Sequence, residues 1–314
     1  MTLVQLVGIA FGAVVALVAL IGATKTSRPD GVFKQVHPYR RMMFYIMPTR
    51  NESVVYFDDY IDAEPLLDYL EEANERLSAH ITHAVVAAVA IGLAENPTMN
   101  RFVVGKRLYD RKERYITFSM KRKKLDKKAK LSAVKLPMLE GETFTGLCQR
   151  IQGQIKVERS GKKTYADKEF NLLDALPRPV LAAAVAFLRG LDARNLLPGG
   201  FIANDPMYTS VFVANLGSLH MGAGYHHLYE WGTCPLFLMV GKIEERAVVR
   251  DGAVVARKQL HIRYSYDERI DDGLSARFGI EAVNRVLSDP RRWLGCLEED
   301  GSDTQPMGQE CRAP

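Results

Sequence analysis

The 314-residue chain is 47% hydrophobic and 25% charged, ordinary globular values that exclude a disordered chain or a disulfide scaffold. Its net charge of +5 is modest, so no nucleic-acid partner is indicated. The four cysteines (Cys148, Cys234, Cys296 and Cys311) lie far apart, with no Cys-x-x-Cys or His/Cys ligand spacing; this argues against a metal site and fits a reducing compartment.

Thr2 to Thr24 is uncharged, with one amide at Gln5. As a helix rising about 1.5 Å per residue it would reach across a hydrocarbon core of about 30 Å, which predicts a transmembrane anchor over 2–24 and a lipid bilayer as partner. A cleaved signal peptide is the competing reading, but it calls for a basic start and a shorter apolar core. Lys25, Arg28, Lys34, Arg40 and Arg41 follow, against the single acid Asp30, and predict that the remaining chain is cytoplasmic.

Residues 25–50 read as a basic linker. Ser53 to Asp62 has strand composition. Leu66, Leu67, Leu70, Ala73 and Leu77 recur at helical spacing, and Ile81 to Pro97 is apolar nearly all round, which predicts a buried helix stopped by Pro97. His83 inside it reads as a core histidine. Arg101–Val104 and Arg114–Met120 read as a hairpin turning at Gly105. Lys121 to Lys130 is intensely basic: a solvated loop, or a surface for anionic lipid head groups or coenzyme A phosphates. Leu131 to Pro137 reads as a strand and Thr143 to Ile155 as an amphipathic helix. Val180 to Leu191 is too short to span a bilayer and reads as a buried or amphipathic helix. Strands then follow closely, with an Asp-Gly hairpin turn at 251–252. Gly273 to Pro290 reads as a helix whose apolar side packs on a sheet. The tail, 298–314, reads as disordered.

Between the last strand and that helix lies "SYDERIDDGLSARFG", with Asp267, Glu268, Asp271 and Asp272 packed into six residues. With Asn215-Leu216-Gly217 upstream, a strand into "VGKI", a hairpin, and "LSDPRRWL" downstream, this order resembles the catalytic domain of 2-oxoacid dehydrogenase acyltransferases, which share the chloramphenicol acetyltransferase fold. The resemblance is strongest over 208–295. It implies that residues 51–297 form an α/β two-layer sandwich, a mixed β-sheet with helices on one face. It also implies a homotrimer with sites between subunits, and coenzyme A or acyl-CoA as ligand.

The family's chemistry is carried by a histidine in Asp-His-Arg-x-x-Asp-Gly, which takes the proton of the attacking thiol. Here that position is Glu268, while Asp267, Arg269, Asp272 and Gly273 match. A glutamate, at a pKa of about 4.3, is a poor base for a thiol of about 8.5, and imidazole is far better matched. The resemblance assigns Asp272 to an arginine pair that holds structure. The family's hydroxyl before Asn-Leu-Gly, which stabilises the oxyanion, is Ala214 here; Thr209 and Ser210 are near but out of register. Asn215 and Gly217 keep the motif. His226 and His227, in a glycine-rich loop with His220 close by, could line a pocket or serve only as loop residues. His261 is an odd number of residues from Glu268, which puts the two on opposite faces of a strand.

The chain therefore reads as a membrane-anchored acyltransferase-fold protein with a degenerate site. Its role would be scaffolding, or binding of a coenzyme A thioester or of an oxoacid dehydrogenase or other acyl-transfer partner. The alternative is an active acyltransferase with Glu268 as base and backbone amides as the oxyanion site. No lipoyl group is expected on this chain.

Overall fold

The structure is a computed structural model that describes residues 2–121, 131–160, 176–298 and 305–311. Its centre is a mixed six-stranded sheet in the order β2 (Val54–Asp62), β9 (Ala253–Asp267), β8 (Leu236–Arg250), β7 (Val211–Asn215), β5 (Tyr115–Lys121) and β6 (Leu131–Pro137). The β5–β7 and β7–β8 pairs are parallel and the others antiparallel. Val211 is opposite Leu236, and Leu236 opposite Tyr266.

Side chains alternate across this register, as the two-residue period requires. Val211, Val213, Leu236, Leu238, Ile262, Tyr264 and Tyr266 join the main core. That core is completed by α3 (Glu64–Leu77), α4 (Ile81–Glu95), α5 (Phe144–Arg159) and α8 (Gly273–Ser288). Phe212, Ala214, Phe237 and Met239 form a separate cluster with Ala223, Leu228 and Cys234 of the 220–235 loop. The expected two-layer α/β sandwich is present. Gly217 and Gly241 make one of its joints possible. A Cβ on Gly217 would meet the Gly241 carbonyl oxygen at 2.3 Å, and one on Gly241 would meet the Ala223 nitrogen at 2.5 Å.

A second sheet, β1 (Gly31–Lys34), β4 (Arg107–Arg111) and β3 (Arg101–Val104), was not anticipated. Arg101–Val104 pairs with Arg107–Arg111 rather than with Arg114–Met120, because the Gly105-Lys106 turn needs only two residues and frees β5 for the main sheet. Within the segment read as a linker, α2 (Pro38–Ile46) buries Phe44 in the main core. Residues 305–311, within the tail read as disordered, lie against the domain. The Met307 amide donates to the Glu142 carbonyl at 3.0 Å, and Cys311 is disulfide-bonded to Cys296. The rest of the basic run after Lys121 lies outside the described residues.

The transmembrane anchor is corrected. The first helix, α1, runs Leu3–Thr24, but the apolar stretch established by its described residues is Gln5–Leu17. At about 1.5 Å per residue that reaches roughly 20 Å, well short of a hydrocarbon core of about 30 Å. Among the described residues no single helix is long and apolar enough to cross a membrane.

His83 is a core histidine, 4% exposed. Its Nδ1 accepts from the His80 amide at 3.1 Å, which leaves the proton on Nε2, where no partner is found among the described residues. Burial, helped by His80, pushes its pKa down to about 4. The unfolded chain takes up this proton near pH 6.5, the folded chain only near pH 4. Stability is therefore full above pH 6.5 and falls as pH drops towards 4, by about 3 kcal/mol in total. Urea titrations across that window should show this fall, and His83→Gln should flatten it.

Candidate functional site

β9 ends at Asp267 because the chain turns back there: the Ile270 amide donates to the Asp267 carbonyl at 3.1 Å. Asp267 is fully buried and its carboxylate is closed on all sides. Oδ1 accepts from Ser53 Oγ at 2.8 Å, from Arg269 Nε at 2.9 Å and from the Arg269 amide at 3.1 Å; Oδ2 accepts from Arg269 Nη2 at 2.8 Å. Arg269 spends its remaining nitrogen on the Met47 and Pro48 carbonyls at 3.0 and 2.9 Å. Asp267 and Arg269 are thus a structural clamp.

Glu268 stands between them and points outward. Its amide donates to the Ser53 carbonyl at 3.0 Å, and its exposed carboxylate has no side-chain partner among the described residues. Asp271 pairs with Arg101 at 3.3 Å. Burial pushes the Asp271 carboxyl up, but hydrogen bonds from Thr98, the Asp272 amide and Ser275, with Arg101 alongside, outweigh burial and hold it below the usual range. Asp272 caps α8, accepting from the Ser275 amide at 3.1 Å, and Gly273 is the first helical residue. The arginine pair assigned to Asp272 by resemblance is found at Asp271 and Asp267 instead.

The oxyanion side is equally clear. Ala214 offers a methyl group on the Phe212–Met239 face of the sheet. Ser210 Oγ accepts from the Tyr115 amide at 3.0 Å and Thr209 Oγ1 donates to the Tyr115 carbonyl at 2.8 Å, so both hydroxyls fasten β7 to β5. The Asn215 amide side chain donates to Thr82 Oγ1 at 3.0 Å, and its Oδ1 accepts from the Ser218 amide at 3.1 Å, which sets the turn carrying Gly217.

Within one chain the two halves of the site do not meet. Ala214 is level with Met239 and Arg263, two strands and five residues from Glu268. At about 3.4 Å per residue and about 4.8 Å per strand they are roughly 20 Å apart.

The histidines are placed elsewhere. The His261 ring bonds Asp58 and stacks on Tyr60 at 4.3 Å. Burial pushes the Asp58 carboxyl up, but hydrogen bonds from Arg263 and His261 prevail and hold it low. The His226 ring lies flat on Phe237 at 3.9 Å, with His227 stacked 5.0 Å away. Nδ1 of each contacts the next carbonyl, that of His227 at 2.6 Å and that of Leu228 at 3.1 Å. Burial pushes the His226 pKa down. His226 thus sits on the same sheet face as Ala214. Among the described residues no group of three His, Cys, Asp or Glu could hold a metal.

Sequence reading passed over Arg50 and Ser53. Arg50 is buried; it donates to the Tyr229 carbonyl at 2.9 Å and to the Gly232 carbonyl at 2.6 Å. Burial lowers its pKa, against the pull of Asp267. Nothing in "TRNES" distinguishes these side chains from surface polar ones.

Residues 209–295 match the family model described as 2-oxoacid dehydrogenases acyltransferase (catalytic domain). Over that segment the chain is related to those acyltransferases. The dihydrolipoyllysine-residue acetyltransferase component of the pyruvate dehydrogenase complex of Bacillus subtilis is 41% identical over 54 residues, 17% of this chain and 12% of that relative. The chain therefore matches only a small part of that curated relative. Among solved structures, the Azotobacter vinelandii dihydrolipoamide acetyltransferase superposes with a TM-score of 0.54 at 16% identity, covering 85% of this chain and 93% of that one. The cubic core of the pyruvate dehydrogenase multienzyme complex gives 0.53 at 15% identity, over 85% and 93%. At such identities the likeness shows the fold.

Asp267→Asn should leave Arg269 buried without its counter-charge and cost about 3–5 kcal/mol, whereas Glu268→Gln should change stability by less than about 0.5 kcal/mol. Paired chemical denaturation curves check both.

Proposed function

We propose that this protein keeps the acyltransferase fold of the 2-oxoacid dehydrogenases with its proton-transfer site degenerate, and that it serves as a scaffold that binds a coenzyme A thioester. The observation that carries this reading is the pair of substitutions at the chemical positions: an outward-facing carboxylate at Glu268 and a methyl group at Ala214. Neither loss is made good nearby. The Ser210 and Thr209 hydroxyls are committed to Tyr115, and His261 is tied to Asp58. Losing an oxyanion donor costs about 2.7–4 kcal/mol of transition-state stabilisation in other acyl transfers. A glutamate base for a thiol adds a further mismatch of roughly four pKa units.

A homotrimer follows in the same proposal. The separation of Glu268 from Ala214 within one chain means that any site using both positions needs a second copy, and the cubic core among the similar structures is itself an assembly. An oxoacid dehydrogenase component or another acyl-transfer protein is the partner this fold would serve.

Incubated with acetyl-CoA and a dithiol acceptor, the protein should show no transfer above the uncatalysed rate, while coenzyme A and acetyl-CoA should raise its melting temperature. Turnover that is lost in Glu268→Gln would establish the alternative, an enzyme with Glu268 as base. In the double variant Glu268→His, Ala214→Ser, turnover should emerge, because the imidazole and the hydroxyl are then both restored.

A further inference from the structure

The four cysteines fall into two kinds. Cys148 and Cys234 are buried thiols, whereas Cys296 and Cys311 are disulfide-bonded and each is partly open to solvent. Only the second pair is within reach of a dissolved thiol. Its two members also differ in footing. Cys296 belongs to the body of the domain: the Gly295 carbonyl before it accepts from the Tyr69 hydroxyl at 3.5 Å, and Leu294 is fully buried. Cys311 closes the segment 305–311, which comes back to the domain from the far end of the chain.

That segment is docked by few contacts. The Met307 amide donates to the Glu142 carbonyl at 3.0 Å, the Gly308 amide to the Trp293 carbonyl at 2.8 Å and the Cys311 amide to the Arg292 carbonyl at 2.8 Å. Met307 is half-buried against the main core. Gly308, with φ of 83°, comes so close to α4 that a Cβ there would lie 3.4 Å from Ile91. The Arg292–Glu310 ion pair is half exposed on both sides and adds little. Ordering the backbone of residues 305–311 costs more than three hydrogen bonds of modest net worth and one half-buried methionine return. The covalent link decides the balance. Its cysteines are 15 residues apart, and closing a loop of that length favours the docked tail by roughly a hundredfold on the chain-entropy account.

We infer that Cys296 and Cys311 form a dithiol–disulfide exchange site whose state sets whether residues 305–311 strap the corner formed by Ile91, Glu142 and α9 (Pro290–Trp293). The co-substrate is a dithiol. One of its thiolates attacks a sulfur of the pair and displaces the other as a thiolate. Its second thiol then displaces the first from the mixed disulfide. Two electrons and two protons pass to the cysteines, and the reductant leaves as its own disulfide. In a reducing compartment the tail is released and the face of α4 at Ile91 is uncovered. Oxidation closes the strap again. The inference is independent of the coenzyme A-binding role proposed above.

Hydrogen exchange on the full chain tests it, with the protein equilibrated in oxidised glutathione or in dithiothreitol and the cysteine pairing mapped by mass spectrometry. The amides of Met307, Gly308 and Cys311 should exchange at least tenfold faster after reduction, and reoxidation should restore their protection. Cys311→Ser removes a thiol only from the tail, so it should fold, exchange like the reduced parent and ignore the redox buffer. Cys296→Ser should behave in the same way. Tail exchange that is equally slow in both buffers, or equally slow in both variants, would overturn the inference. So would a Cys296–Cys311 bond that resists excess dithiothreitol in the folded protein, since it would then be a permanent staple, and so would the absence of that pairing after oxidation.

Discussion

The Asp267 carboxylate, with no exposure to solvent, organises the functional end of this fold. A buried charge is tolerated only where its partners are close and its lone pairs are filled. Here Arg269 supplies the counter-charge and three donors, while Ser53 supplies a fourth. The guanidinium reaches on to the carbonyls of Met47 and Pro48. One ion pair thus joins the end of β9 to the turn after α2 and the start of β2, more than two hundred residues earlier in the chain. It also fixes which side chain faces outward, because clamping residues 267 and 269 leaves 268 pointing away.

That geometry makes the side chain at position 268 dispensable to the fold. The clamp uses the residues on either side of Glu268 and takes nothing from its side chain. The same separation holds at Ala214, where the hydroxyls of Thr209 and Ser210 secure the strand and position 214 contributes only packing. At both places the bonds that hold the backbone come from neighbouring residues and not from the side chains of Glu268 or Ala214. The clamp also forms one wall of a cleft that Lys106 and Arg189 line.

Much of the fold was legible from the sequence. The apolar periodicity of Leu66 to Leu77, the nearly uniform apolarity of Ile81 to Glu95, and the Asp251-Gly252 turn each follow from local chemistry, and each element lies where that chemistry puts it. The three-stranded sheet was not legible, because "RFVVGKRLYDR" reads equally well as part of a longer hairpin until β5 has its partners β6 and β7. The N-terminal run was read as an anchor from its length and lack of charge, and the segment behind it looked like a linker because its basic residues resemble a solvated stretch. Arg28 and Arg50 are in fact buried, each compensated by groups more than a hundred residues away.

The sequence by itself determined the match of residues 209–295 to the acyltransferase family model and the residues found at positions 214 and 268, since these are matters of residue identity at fixed spacing. Tertiary structure alone decided what the neighbouring acids do: Asp267 closes a buried clamp, Asp271 meets Arg101, Asp272 caps a helix and Glu268 is left free. Four carboxylates in six residues are chemically alike along the chain. They become different only when the fold sets how much water each retains and which cation lies within reach.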